Sequence, residues 1–177
     1  MKKEKCELSG VLIFTPELYK DNRGYFFESF CEKKYNLPKF VQENESCSKK
    51  GVLRGLHFQK KPYEQGKLVR VIRGAIFDVC VDLRKDSKTF GKHFSLILSG
   101  ENKKQIYLPT GFAHGFLALE DNTILNYKCT KYYNKRNESG IIWNDKSLNI
   151  KWPIKNPLIS KKDSENKSFM DICGAKK

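Results

Sequence analysis

The sequence lacks any apolar run approaching about 18 residues, so no membrane span is expected. Its six cysteines stand at 6, 31, 47, 80, 129 and 173, and none forms a C-x-x-C pair. Cys80 and Cys129 lie in apolar, strand-like runs, where cysteine behaves as a small buried hydrophobe. With no secretory signal at Met1-Lys2-Lys3-Glu4-Lys5, the expectation is a reduced, cytoplasmic protein. Repeats and long helical periodicity are both absent. Histidine is scarce, with only His57, His93 and His114.

Positive charge is plentiful. Lys and Arg total 34 against 20 Asp and Glu, for a net charge of +14. Such an excess admits polyanions, nucleotide diphosphates or anionic membranes as partners. Most lysines, however, are scattered among Asn and Glu, as on a solvated surface. There is no RNA-binding aromatic motif, zinc-finger spacing or long basic helix, so nucleic acid is not expected.

The 177 residues carry 39% hydrophobic and 12% aromatic side chains, enough for one domain with a sizeable core. Phe77, Val79, Val81 and Leu83 alternate with Asp78, Cys80 and Asp82. Phe94, Leu96 and Leu98 alternate in the same way. Further strands are expected over 11–15, 24–29, 40–47, 52–58, 66–73, 104–108, 113–119, 122–130 and 141–143, with one or two helical turns at 31–36. Breakers such as Asp21-Asn22-Arg23-Gly24 and Lys49-Lys50-Gly51 separate them. An all-β sandwich or barrel of about ten strands follows. The tail after Trp152-Pro153 is polar and lysine-rich, and reads as a frayed end apart from Lys162-Asp163.

The chemistry concentrates in Val52-Leu53-Arg54-Gly55-Leu56-His57-Phe58-Gln59 and Gln65-Gly66-Lys67-Leu68-Val69-Arg70. Cations on apolar strands point to a pocket for an anion, and a histidine between them can move protons near neutral pH. A lone strand histidine is more often structural. His57 and His114 both stand near Gly and Phe in apolar strands, where a buried imidazole needs partners. Pro109-x-Gly111-x-x-His114 resembles the second metal motif of the cupin superfamily. The first motif is broken, with Gln59 where a second His would stand, so no metal is expected. Tyr127 shares a strand face with Leu125 and Cys129, which makes it an inward phenol and a candidate acid. Lys67 can neutralise an enolate oxygen, and Arg54 can clamp a phosphate. Arg54 and His57 are three residues apart, so a regular strand sends them to opposite faces. If both serve one pocket, the strand must bulge, and Gly55 is the place.

Longer motifs extend these. They include Asp21-x-Arg23-Gly24-x-Phe26-Phe27-Glu28, Phe40-Val41-Gln42-x-Asn44-x-Ser46, and Phe77-Asp78-Val79-x-Val81-Asp82-Leu83-Arg84. Pro109-x-Gly111-Phe112-Ala113-His114-Gly115-Phe116, Tyr127-Lys128-x-Thr130, Trp143-Asn144-Asp145 and Ser160-x-Lys162-Asp163 follow. In this order the chain resembles the dTDP-4-dehydrorhamnose 3,5-epimerase family over nearly its whole length. The resemblance implies an all-β, cupin-like jelly-roll β-barrel with short peripheral helices. It further implies one domain over 1–177, with a core barrel at about 40–145, N-terminal strands in a homodimer contact and a tail at 150–177. No metal or other cofactor is implied. The substrate would be a nucleotide-sugar, dTDP-linked, carrying a 4-keto-6-deoxyhexose for surface polysaccharide. C3-only epimerases and enzymes acting on other 4-keto sugars share the architecture.

By the same resemblance His57 is the base, oriented by Asp163, Tyr127 the opposed acid, and Lys67 the charge that steadies the enolate. Arg23, Glu28, Gln42, Asn44, Arg54, His114, Glu138 and Lys162 match ligand-binding positions. Ala75, His93 and the proline-free Tyr132-Tyr133-Asn134-Lys135 depart from the family pattern. None of them touches the base, acid or lysine.

Overall fold

The computed structural model describes residues 1–174. Its strands are β1 (Lys2–Lys5), β2 (Leu12–Thr15), β3 (Tyr19–Asp21), β4 (Gly24–Phe26), β5 (Gln42–Ser48), β6 (Leu53–Gln59) and β7 (Lys67–Arg73). Then come β8 (Ala75–Asp82), β9 (His93–Ser99), β10 (Gln105–Leu108), β11 (Phe112–Ala118), β12 (Thr123–Cys129) and β13 (Glu138–Gly140). The helices are short: α1 (Glu32–Tyr35), α2 (Lys161–Ser164) and α3 (Phe169–Cys173).

Two antiparallel sheets pack face to face in a cupin-like arrangement. One runs β1-β2-β10-β7-β12-β5, the other β13-β6-β11-β8-β9. Period-two patterning decides which side chains meet between them. Val69 and Val71 of β7, Ile106 and Leu108 of β10, and Leu125 of β12 come from the first sheet. Ile76 and Cys80 of β8 and Phe112 and Phe116 of β11 come from the second. The outer faces are covered as well. Phe14, Tyr35, Leu68 and Tyr107 form a cluster beneath α1. Leu56, Val79, Val81 and Ala113 pack against Leu148, Phe169 and Cys173 of the tail. With both faces covered, every residue of β11 is buried.

The expected bulge lies where two glycines meet. On the β6–β11 ladder His57 pairs with His114, and Arg54 with Phe116, so three steps on β6 match two on β11. Directly opposed residues share a face, so the bulge turns both Arg54 and His57 inward. Gly55 has φ +135°, and a Cβ there would lie 2.5 Å from the Cα of Gly115. Any side chain at Gly55 would therefore push the two strands apart.

Several expectations need correction. The strand expected at 24–29 ends at Phe26, and the one expected at 141–143 lies at Glu138–Gly140. β1 and β3 were not foreseen. Lys2-Lys3-Glu4-Lys5 is a charged edge strand whose composition discourages further pairing and hides the alternation. The tail is no frayed end. Val52 bridges Leu158 and Ile141 bridges Lys167. Ser160 caps α2, and Ser168 forms a capping box with Asp171 at α3.

Candidate active site

A cavity of about 490 Å³ opens between the sheets, lined by Arg54, His57, Lys67, His114, Tyr127, Lys162 and Asp163 among others. An adjoining space of about 220 Å³ shares His57, Lys67 and Tyr127 and adds Gln42, Asn44, Tyr133 and Glu138. The five-stranded sheet supplies His57 from β6. The six-stranded sheet supplies Lys67 from β7 and Tyr127 from β12. The imidazole and the phenol therefore stand on opposing walls.

His57 Nε2 lies 2.6 Å from Asp163 Oδ1. Asp163 is buried, and its second oxygen accepts the Gly55 N–H at 3.5 Å. Burial alone would raise this carboxyl. The hydrogen bond and charge of His57, the Gly55 amide and the Ser160 hydroxyl outweigh it and hold the group below its ordinary value. A carboxylate on Nε2 keeps that nitrogen protonated in the neutral ring. Nδ1 is left as the basic atom, and the imidazolium is stabilised once a proton arrives.

Burial pushes the Lys67 ammonium below its usual range, opposed by the nearby Cys129, Asp78 and Glu138. Its Nζ sits 5.8 Å from the Tyr127 ring centre. Burial and the neighbouring Cys129 push the Tyr127 phenol up, while Asn44 and Arg54 pull the other way. Such a site holds a half-buried cation beside a half-buried acid, facing a carboxylate-backed base. That combination can abstract a proton, shelter an enolate and return a proton from the far side.

The remaining predicted residues divide clearly. Arg54 Nε donates to Ser48 Oγ at 3.2 Å, and Glu138 bridges Lys162 and the Tyr133 hydroxyl at the mouth. His114 Nε2 lies 2.7 Å from Asp78 Oδ2, deep in the barrel. Arg23 and Glu28 line neither cavity. Arg23 pairs with Asp21 at 2.6 Å, and Glu28 with Lys34 at 2.9 Å, at the chain's surface. Two residues escaped sequence reasoning. Asp78 stood in a period-two strand among apolar neighbours, and an acid inside so buried a run was the available signal. Tyr133 lay in a polar loop with nothing to separate it from Tyr132. Among the described residues, no group of three or more His, Cys, Asp or Glu side chains is placed to hold a metal ion.

Residues 5–171 match the family model of dTDP-4-dehydrorhamnose 3,5-epimerase. The chain is 52% identical over 172 residues to the Shigella flexneri enzyme of that name, covering 94% of this chain and 95% of the relative. The chain belongs to the dTDP-4-dehydrorhamnose 3,5-epimerase family. Among solved members, the Elizabethkingia anophelis epimerase superposes with a TM-score of 0.93 at 44% identity, covering 98% of each chain. The Legionella pneumophila enzyme, solved in complex with dTDP-4-keto-L-rhamnose, gives 0.91 at 44% identity, covering 94% of this chain and 92% of its own. In this epimerase, as in its relatives, the cupin-like barrel is the frame for the cavity just described.

Proposed function

We propose that the chain inverts C3 and C5 of a dTDP-linked 4-keto-6-deoxy sugar, converting dTDP-4-dehydro-6-deoxyglucose to dTDP-4-dehydrorhamnose. The observation that carries this is the placement of His57 and Tyr127 on opposing walls of one cavity. Inversion at carbon needs a base on one face and an acid on the other.

The protons at C3 and C5 are acidic because the C4 ketone accepts the electron pair each leaves behind. His57 takes the proton, and its positive charge rests against Asp163. Negative charge collects on the C4 oxygen, where the Lys67 ammonium steadies it. Tyr127 delivers its phenolic proton to the opposite face of the same carbon. His57 and Tyr127 then exchange protons with solvent before the second centre reacts. Arg54 serves the diphosphate, whose charge matches its guanidinium. The bound ligand of the Legionella relative supports a substrate of this class.

We also read the enzyme as a single-domain, cytoplasmic homodimer. Tyr19, Tyr25 and Phe26 of the β3–β4 hairpin are exposed, Phe26 at 69%. Arg23 and Glu28, remote from their own cavity, would then serve a second copy of this chain.

Tyr127→Phe is the decisive variant. It should exchange the substrate's C3 proton with D₂O at close to the wild-type rate, while product formation falls about 100-fold. Equal loss of both would remove Tyr127 as the acid.

A further inference from the structure

The inner face of β5 is polar throughout. Gln42, Asn44 and Ser46 are half-buried and Ser48 is buried, while Glu43, Glu45 and Cys47 are exposed. The first two form a hydrogen-bond chain with a definite direction. The backbone N–H of Tyr133 donates to Gln42 Oε1 at 2.8 Å. A backbone N–H can only donate, so this contact decides which end of the Gln42 amide is the oxygen. Gln42 Nε2 then donates to Asn44 Oδ1 at 3.0 Å. With its oxygen occupied, Asn44 turns Nδ2 toward β12. There it donates to Cys129 Sγ at 3.8 Å, and the Tyr127 phenol stands on the same face of β12, two residues before Cys129. Asn44 and Tyr127 are directly opposed on the β5–β12 ladder, so they share the inner face.

We infer that Gln42 and Asn44 form a polarity relay, which presents an N–H to the Tyr127 oxygen and leaves the phenol's own proton free for the substrate carbon. Were the Asn44 carbonyl to face Tyr127 instead, the phenol would donate to it and be withheld from the cavity. An N–H at that oxygen also stabilises the phenolate left after proton delivery, against the cost of burial. Gln42 and Asn44 are thus positioning residues that act through Tyr127, and the inference rests on the reading of Tyr127 as the acid. It adds an acid-setting role to side chains whose family resemblance implies ligand contact alone.

Asn44→Asp keeps the shape and replaces the donor by an acceptor. The expected result is a fall of about 100-fold in product formation, while deuterium exchange at C3 stays within a few-fold of wild type. Gln42→Glu cannot donate to Asn44, so it should show the same split more weakly, at about 10-fold. Because the Gln42 side chain bonds Tyr133 and Asn44 and not a side chain of β12, this variant tests the relay even if Asn44→Asp folds poorly. Asn44→Ala removes the donor without adding an acceptor, and should move the alkaline limb of the pH–rate profile upward. Parallel loss of exchange and product, or no change at all, would overturn the relay. Tyr127→Phe run alongside separates the two failures. If it shows the split and Asn44→Asp does not, only the relay falls; if it shows none, the acid assignment falls first.

Discussion

The barrel contains two histidine–aspartate pairs of nearly equal length, 2.6 Å for His57–Asp163 and 2.7 Å for His114–Asp78. Their settings differ. The His57 side chain is 30% exposed on the cavity wall, and its carboxylate arrives from a tail 106 residues away. His114 and Asp78 are 8% and 0% exposed, on neighbouring strands of one sheet. A base that must release its proton after each turnover needs a route to solvent. A residue that only holds a ligand does not. The hydrogen bond alone therefore does not set the two histidines apart; solvent access and the means of delivering the partner do.

The largest expected effect tests that contrast at its root. His57→Ala should lower turnover by at least about 1,000-fold, with dTDP affinity changed by no more than a few-fold in a titration. Retained turnover would shift the base assignment to His114 and break the comparison. Asp163→Asn should cost less, about 10- to 100-fold, because it misorients the imidazole without deleting it. An unchanged rate would mean that the tail pair is incidental.

Stability should invert the ranking. His114→Ala leaves Asp78 buried and without its partner, so chemical denaturation should show a loss of about 3 kcal/mol. His57→Ala leaves Asp163 with the Gly55 amide and the Ser160 cap, and should melt closer to wild type. Equal losses would argue that the two pairs are structurally equivalent.

The smallest effect is the dependence of stability on acid. Asp163 is held below its ordinary value of 3.8 in the folded protein. Its contribution is therefore present above pH 3.8 and disappears as pH falls through the lower folded value. The stability gap between wild type and Asp163→Asn should be full at neutral pH and should close below that window. A gap that persists in strong acid would mean the carboxylate's charge is not what matters.

The barrel strands were legible because alternation survives burial on both faces. Phe77, Val79 and Val81 take one side of β8, and Ile76 and Cys80 the other. Asp78 interrupts the inner side, and pairing it with His114 needed knowledge of the neighbouring strand. The inward Tyr127 followed from parity, and the bulge at Gly55 from parity once Arg54 and His57 are taken to serve one pocket. The tail was illegible for another reason. It docks through a few apolar residues, Phe169 and Cys173 among them, spread through polar sequence without a period. The role proposed for its carboxylate, Asp163, was visible only through family resemblance. The direction of the Gln42–Asn44 chain depends on the Tyr133 backbone N–H, which no side-chain pattern records.

The most direct test of the account is an NMR time course of the purified protein with dTDP-4-keto-6-deoxyglucose in D₂O. Deuterium is expected at both C3 and C5, with the signals of dTDP-4-dehydrorhamnose growing in and no exchange in His57→Ala. Deuterium at C3 alone would make this a mono-epimerase, and no exchange by the folded protein would contradict the proposed chemistry.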